Sequence, residues 1–165
     1  MSQSDYTWQL CTNLGLKALN EQNVVEAEEF LATALAEAEK FKRGDPRLLE
    51  SILNLSGAYF QMGKLAEAEQ MCRYGLNIGE ALFGETHLET ARMLHNLGTY
   101  QAAQHKHSEA SEHLERALQI RENALDDHDP EVKATLEQLT RCLNAMGGRA
   151  WEEFRARGQG KHQKL

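Results

Sequence analysis

One pattern recurs along this chain and restricts its fold more than any other feature. Asn13-Leu14-Gly15 is followed by Glu26-Ala27-Glu28, Leu31, Ala34 and Leu35. Asn54-Leu55-Ser56 is followed by Glu67-Ala68-Glu69, Cys72, Gly75 and Leu76, and Asn96-Leu97-Gly98 by Glu109-Ala110, Leu114, Ala117 and Leu118. Leu14, Leu55 and Leu97 are separated by 41 and 42 residues, and Ala27, Ala68 and Ala110 by the same two intervals. A period of this size marks an array of short units, each burying its apolar face against its neighbours.

The internal spacing splits each unit into two helices. Ile52, Leu55 and Tyr59, and likewise Leu94 and Leu97, are separated by steps of three and four, which places them on one stripe of a helix A. A polar turn follows, Gln61-Met62-Gly63-Lys64 in the second unit and Gln104-His105-Lys106-His107 in the third. Helix B then carries Ala68, Cys72, Gly75 and Leu76 at the same rhythm. Small residues at Ala27, Ala68 and Ala110, and at Ala34, Gly75 and Ala117, suit positions where two helices approach closely. Pro46 and Pro130 each follow an aspartate, so Asp45 and Asp129 are expected as N-caps with proline at the first helical position. The middle linker has no proline, and Thr86 is the expected cap there.

Composition agrees with an all-α chain. Three valines and three isoleucines among 165 residues are too few to cover a pleated sheet. No apolar run reaches the roughly 18–20 residues of a membrane span, and Met1-Ser2-Gln3-Ser4-Asp5 lacks the basic and apolar regions of a signal peptide. The net charge of −7 argues against general nucleic-acid binding, which depends on neutralising phosphates. Cys11, Cys72 and Cys142 are odd in number and widely spread, which suits a reducing, cytoplasmic setting and disfavours a zinc site.

The motif order (Asn-Leu-Gly, Gly in the turn, Glu-Ala, Ala-Leu) resembles the tetratricopeptide repeat, here in a 41–42-residue form. The linkers over residues 83–91 and 125–132 are similar to the leucine-glycine-x-x-histidine-proline linker of kinesin-light-chain-type repeats. The resemblance implies an α-α superhelix, a solenoid of antiparallel helix pairs spanning residues 1–157. Its repeats would occupy about 7–45, 46–87 and 88–129, with a partial fourth unit and cap over 130–157. Trp151 and Phe154 are expected on a short closing helix. Residues 158–165 read as a basic polar tail; from Arg149 onward five basic side chains face two acidic ones.

Reactive constellations are missing from the sequence. It contains no G-x-S-x-G, no phosphate-cradling glycine loop and no H-E-x-x-H, so no catalytic residue, cofactor or metal is expected. His105 and His107 flank Lys106, whose charge repels a divalent cation. His113 is expected to be half-buried and structural, and Cys72 and Cys11 to fill core positions.

The family resemblance implies a peptide-binding groove lined by the A helices, in which the asparagine before the leucine holds a ligand main chain. That position reads Asn13, Asn54 and Asn96, with Gln138 in the fourth unit. A carboxamide offers a donor and an acceptor without requiring a charged ligand, and asparagine is otherwise a mediocre helix former. Hydrogen bonding between neighbouring A helices is the structural alternative. Phe60, Arg92, His95 and Arg141 fall on flanking groove positions, and an extended peptide with an apolar residue at one end and an acid at the other would suit them. The expected function is thus a non-enzymatic protein-interaction module. The competing expectation is homotypic assembly through the solenoid ends, including a homodimer through the C-terminal end.

Overall fold

A computed structural model of the chain describes residues 2–157. Eight helices occupy them: α1 (Gln3–Asn20), α2 (Val24–Ala38), α3 (Pro46–Gln61), α4 (Leu65–Phe83), α5 (Leu88–Ala103), α6 (His107–Ala124), α7 (Pro130–Met146) and α8 (Gly148–Arg157). No strand occurs among the described residues. The odd-numbered helices α1 to α7 are the A helices of the repeats, and α2, α4 and α6 the B helices.

Local chemistry sets the helix starts. Ser2 and Asp5 form a reciprocal capping box at α1, the Asp5 amide donating to Ser2 Oγ at 3.1 Å and the Ser2 amide to Asp5 Oδ2 at 2.7 Å. Asp45 accepts from the Arg47 amide at 3.0 Å and Asp129 from the Glu131 amide at 2.8 Å, with Pro46 and Pro130 opening the helices they precede. The middle linker corrects the expectation for Thr86. Because α5 begins at Leu88, the capping residue is His87, whose Nδ1 accepts from the Glu89 amide at 3.1 Å. A step of 42 residues from Asp45 lands on His87 and a second lands on Asp129, so an imidazole performs the task the aspartates perform elsewhere. Its ring stacks on Phe83 with centroids 4.9 Å apart.

The turns inside the helix pairs share one conformation. Gln22, Gly63 and His105 stand at equivalent positions and have φ of 61°, 73° and 61°. A left-handed residue reverses the chain here, and only Gly63 adopts it without a Cβ penalty. His107, expected within its turn, instead opens α6.

Two compact units divide the described chain, one up to Met93 and one from Leu94 onward, so the division falls inside α5. In the first unit α1 packs on α2, α2 on α3 and α3 on α4. Leu31, Leu55 and Ala58 form its buried centre, flanked by Leu19, Leu35, Tyr59, Met62 and Met71. Fully burying one such leucine contributes about 1.5–3 kcal/mol. Ala27, Ala34 and Ala68 are wholly buried. A Cβ at Gly15 would lie 2.6 Å from Leu31 Cγ, so the glycine of the Asn-Leu-Gly motif permits the close approach of α1 and α2. Arg47 ties the start of α3 to α1: its guanidinium meets Asp5 at 2.5 Å and Asp45 at 2.7 Å and lies 3.6 Å over the Phe41 ring.

In the second unit α6 packs on α7 and α7 on α8. Ala110, Leu114, Leu118, Val132, Leu139, Cys142 and Leu143 make one buried cluster. Gly98 repeats the arrangement of Gly15, since a Cβ there would lie 2.6 Å from Leu114 Cγ. Trp151 and Phe154 of α8 pack against this cluster together with buried Ala150. Trp151 Nε1 donates to Asn144 Oδ1 at 2.8 Å. The basic polar tail read from residues 158–165 lies outside the described residues.

Candidate functional site

The A helices carry every residue singled out for binding, and each unit holds a share. The first unit contains Asn13 on α1, Asn54 and Phe60 on α3, and Arg92 on α5. Asn13 and Arg92 are exposed, whereas Asn54 and Phe60 are half-buried. The second unit contains His95 and Asn96 on α5 and Gln138 and Arg141 on α7. His95, Asn96 and Gln138 are half-buried, and Arg141 is exposed.

Asn13, Asn54, Asn96 and Gln138 make no side-chain hydrogen bond to any described residue, and none of their polar atoms is sealed from solvent. The hydrogen bonds between neighbouring A helices come from a different register. In the first unit Trp8 Nε1 of α1 donates to Ser51 Oγ of α3 at 2.8 Å. In the second, His95 Nδ1 of α5 lies 3.2 Å from Thr135 Oγ1 of α7. Ser51 and Thr135 are 84 residues apart, two repeat lengths, so the same helical position supplies a hydroxyl in both units.

Thr135 sits within a buried polar group. Its Oγ1 donates to the Glu131 carbonyl at 2.7 Å and accepts from the guanidinium of Arg121, a residue only 4% exposed. Arg121 also donates to the Glu131 carbonyl at 3.1 Å and meets the Glu131 carboxylate at 3.2 Å. A buried guanidinium requires such partners, because desolvation otherwise costs several kcal/mol. Sequence reading missed Arg121 and Thr135. One signal was present: steps of 41 and 42 residues align Arg121 with Gly79 and Ala38, both buried, so a cation stands where the other units have small residues.

The electrostatics revise the expected basic half of the site. Arg92 pairs with Glu89 one turn earlier at 2.6 Å, which offsets its charge. Burial, together with the nearby Arg121 charge, pushes the His95 pKa down to about 4, so the ring is neutral at pH 7. Arg141 is left as an exposed cation without a partner among the described residues.

Nothing else in the described chain gathers into a reactive centre. Cys11, Cys72 and Cys142 are free and buried, and burial raises all three thiols, Cys72 to about 12. Cys72 Sγ donates to the Met93 carbonyl at 3.3 Å, as a small core residue would. His113 is half-buried, with Nδ1 at 2.8 Å from the Glu109 carbonyl. No group of three potential metal ligands occurs among the described residues, and none of their helices is long and apolar enough to cross a membrane.

Residues 48–123 match the tetratricopeptide repeat family. No curated protein matches the sequence. Among solved structures, the nearly identical TPR-like repeats of a kinesin-light-chain protein from Podosopora anserina superpose with a TM-score of 0.80 at 23% identity, over 94% of this chain and 76% of that one. BtubC (BKLC) from P. vanneervenii superposes with a TM-score of 0.80 at 25% identity, over 98% of this chain and 68% of that one. The first TPR of Spaghetti (RPAP3), bound to an HSP90 peptide, has a TM-score of 0.62 at 21% identity, over 87% of this chain and 95% of its own. Tetratricopeptide repeats form solenoids of antiparallel helix pairs that act as protein-interaction modules and are generally non-enzymatic. Residues 48–123 match such repeats, and the described residues share the helix-pair fold of the kinesin-light-chain-like repeat structures.

Proposed function

We propose that the A helices bind an extended peptide segment of a partner protein, with no catalytic step, in a reducing, cytoplasmic setting. One observation carries this reading. Asn13, Asn54, Asn96 and Gln138 recur at a single repeat position, yet their carboxamides have no hydrogen-bond partner among the described residues. An amide that served the fold would be paired inside it. An amide that serves a ligand main chain stays available, offering a donor and an acceptor to successive peptide groups. Phe60 contributes apolar surface and Arg141 a cation, so the ligand would carry one apolar and one acidic side chain. The RPAP3 repeat shows that a fold of this kind can hold a short peptide.

The test compares wild type with the triple variant Asn13→Ala, Asn54→Ala, Asn96→Ala. Both are screened against a random peptide library once equal helical content and equal oligomeric state are established. Loss of the selected peptides by the folded triple variant supports the reading. Retention of all of them at unchanged affinity refutes it.

Self-assembly is the second reading, and one observation favours it at the N-terminal end. Tyr6 and Leu10, one turn apart on α1, are 52% and 43% exposed. The C-terminal end supports it less, because Trp151 and Phe154 already pack on the core of the second unit. Sedimentation equilibrium of wild type and Tyr6→Ser, Leu10→Ser separates the two. A monomeric wild type sinks this reading.

A further inference from the structure

Within the proposed peptide-binding role, on which this inference rests, we infer that His95 selects for a neutral hydrogen-bond donor on the ligand. A serine or threonine hydroxyl, or a carboxamide, would donate to its Nε2.

Thr135 Oγ1 fixes the tautomer of His95. A hydroxyl has one hydrogen and two lone pairs. The hydrogen goes to the Glu131 carbonyl at 2.7 Å, and the Arg121 guanidinium takes one lone pair. Only a lone pair is left for His95 Nδ1, 3.2 Å away. Nδ1 must therefore carry the ring hydrogen, which makes Nε2 of the neutral imidazole an acceptor. Arg121 cannot turn away to free the hydroxyl, since it is held by the Glu131 carbonyl at 3.1 Å and carboxylate at 3.2 Å and is almost wholly buried. A four-member group on α5, α6 and α7 thus fixes the tautomer of one half-buried ring.

That ring lies beside Asn96 on α5, and Gln138 follows Thr135 by one turn of α7. Both are carboxamides of the proposed site. His95 Nε2 has no partner among the described residues and is not sealed from solvent. A ligand carboxylate placed there would meet a lone pair, and the ring would have to gain a proton against its burial and the Arg121 charge. A ligand ammonium would meet the same buried guanidinium charge. A neutral donor meets neither obstacle. The histidine thus discriminates against the acidic side chain that a basic imidazole would attract.

Two measurements test this. Long-range proton–nitrogen correlation spectra of histidine-labelled protein report which nitrogen of His95 is protonated at neutral pH. Nδ1–H is expected; Nε2–H overturns the inference while leaving the peptide-binding role intact. Separately, a phage-displayed random dodecapeptide library is selected on wild type and on His95→Phe, which keeps a ring and removes the acceptor. Wild type should enrich Ser, Thr, Asn or Gln at one peptide position over Asp and Glu, and His95→Phe should lose that enrichment. Replacing the enriched donor by alanine in a synthesised peptide should weaken wild-type binding about five- to tenfold, as expected for one neutral hydrogen bond, and leave His95→Phe binding unchanged. Peptides that bind the His95→Phe protein with the same donor preference overturn this inference alone. A wild type that selects no peptide overturns it together with the proposed function.

Discussion

Gly57 and Gly98 both lie on A helices, late in α3 and α5, and a single substitution, glycine to alanine, should stabilise the first and not the second. Alanine in a helix interior is about 1 kcal/mol more favourable than glycine, because it gives up less backbone entropy. At Gly57 an added Cβ meets nothing within 4 Å, so that gain should appear nearly whole, as stabilisation of about 0.5–1 kcal/mol. At Gly98 the Cβ would lie 2.6 Å from Leu114 Cγ, 3.0 Å from the Ala110 carbonyl oxygen and 3.1 Å from Leu114 Cδ2. Leu114 is fully buried and cannot swing aside, and the carbonyl belongs to the backbone of α6. Forcing a methyl into packed surroundings costs about 1–3 kcal/mol. Subtracting the propensity gain leaves Gly98→Ala neutral to destabilising by about 2 kcal/mol, so the two variants should differ by about 1–3 kcal/mol. Urea unfolding followed by helical circular dichroism reads the difference, provided the m-value is unchanged. Repeat arrays can unfold in stages, so midpoints are compared within each resolved transition. If Gly98→Ala raises the midpoint as much as Gly57→Ala does, the close approach of α5 and α6 is not what the motif glycine serves.

Gln22→Gly and His105→Gly should each stabilise the protein by about 1 kcal/mol, because glycine adopts the left-handed turn at no steric cost; Gly63→Ala should lose a similar amount, and thermal melts of the three variants check the signs. His95 should make stability depend on pH: its folded value near 4 lies below the ordinary 6.5, so the unfolded chain takes up its proton first. Stability is therefore full above about pH 6.5 and falls as the pH drops toward 4, and urea midpoints of His95→Phe should lack this slope. Thr135→Val deprives buried Arg121 of an acceptor and should cost about 1–3 kcal/mol in urea unfolding; an unchanged midpoint would show that the buried cluster tolerates its loss. The three cysteines should resist iodoacetamide at neutral pH until denaturant is added, since all are buried with raised thiol pKa values; rapid native labelling followed by mass spectrometry would contradict their burial.

Much of the fold was legible in the residue pattern, because in a repeat array the same local problem is solved several times over. The small residues Ala27, Ala34, Ala68, Ala110 and Ala117 are all wholly buried, as their periodic recurrence implied. Asp45 and Asp129 cap their helices because each carboxylate accepts an amide hydrogen of the first turn, and the proline that follows each has a φ suited to the first helical position. The error at Thr86 has a physical origin. Side-chain propensity favours threonine as a cap, but the 42-residue register places His87 at the cap position, and its imidazole nitrogen accepts the amide hydrogen there. The placement of His107 failed similarly, for a histidine inside a polar cluster gives no hint that the helix has begun.

The candidate site divides along the same line. Its carboxamides, Asn13, Asn54, Asn96 and Gln138, stand out in the sequence because periodicity is a one-dimensional property. Their lack of protein partners is a three-dimensional one, and it depends on which side chains the neighbouring helices bring close. The charge state of the site could not be read from composition either. Sequence presents Arg92 and His95 as two basic groups, but a carboxylate one turn away offsets the first, and burial beside Arg121 keeps the second neutral. By itself the sequence determined the helix-pair architecture, the repeat register and the identity of the recurring polar position, all consequences of local spacing. Only the tertiary structure decided that His95, Thr135, Arg121 and Glu131 gather into one polar group, because residues up to 40 positions apart meet there through packing and no local pattern encodes their contact.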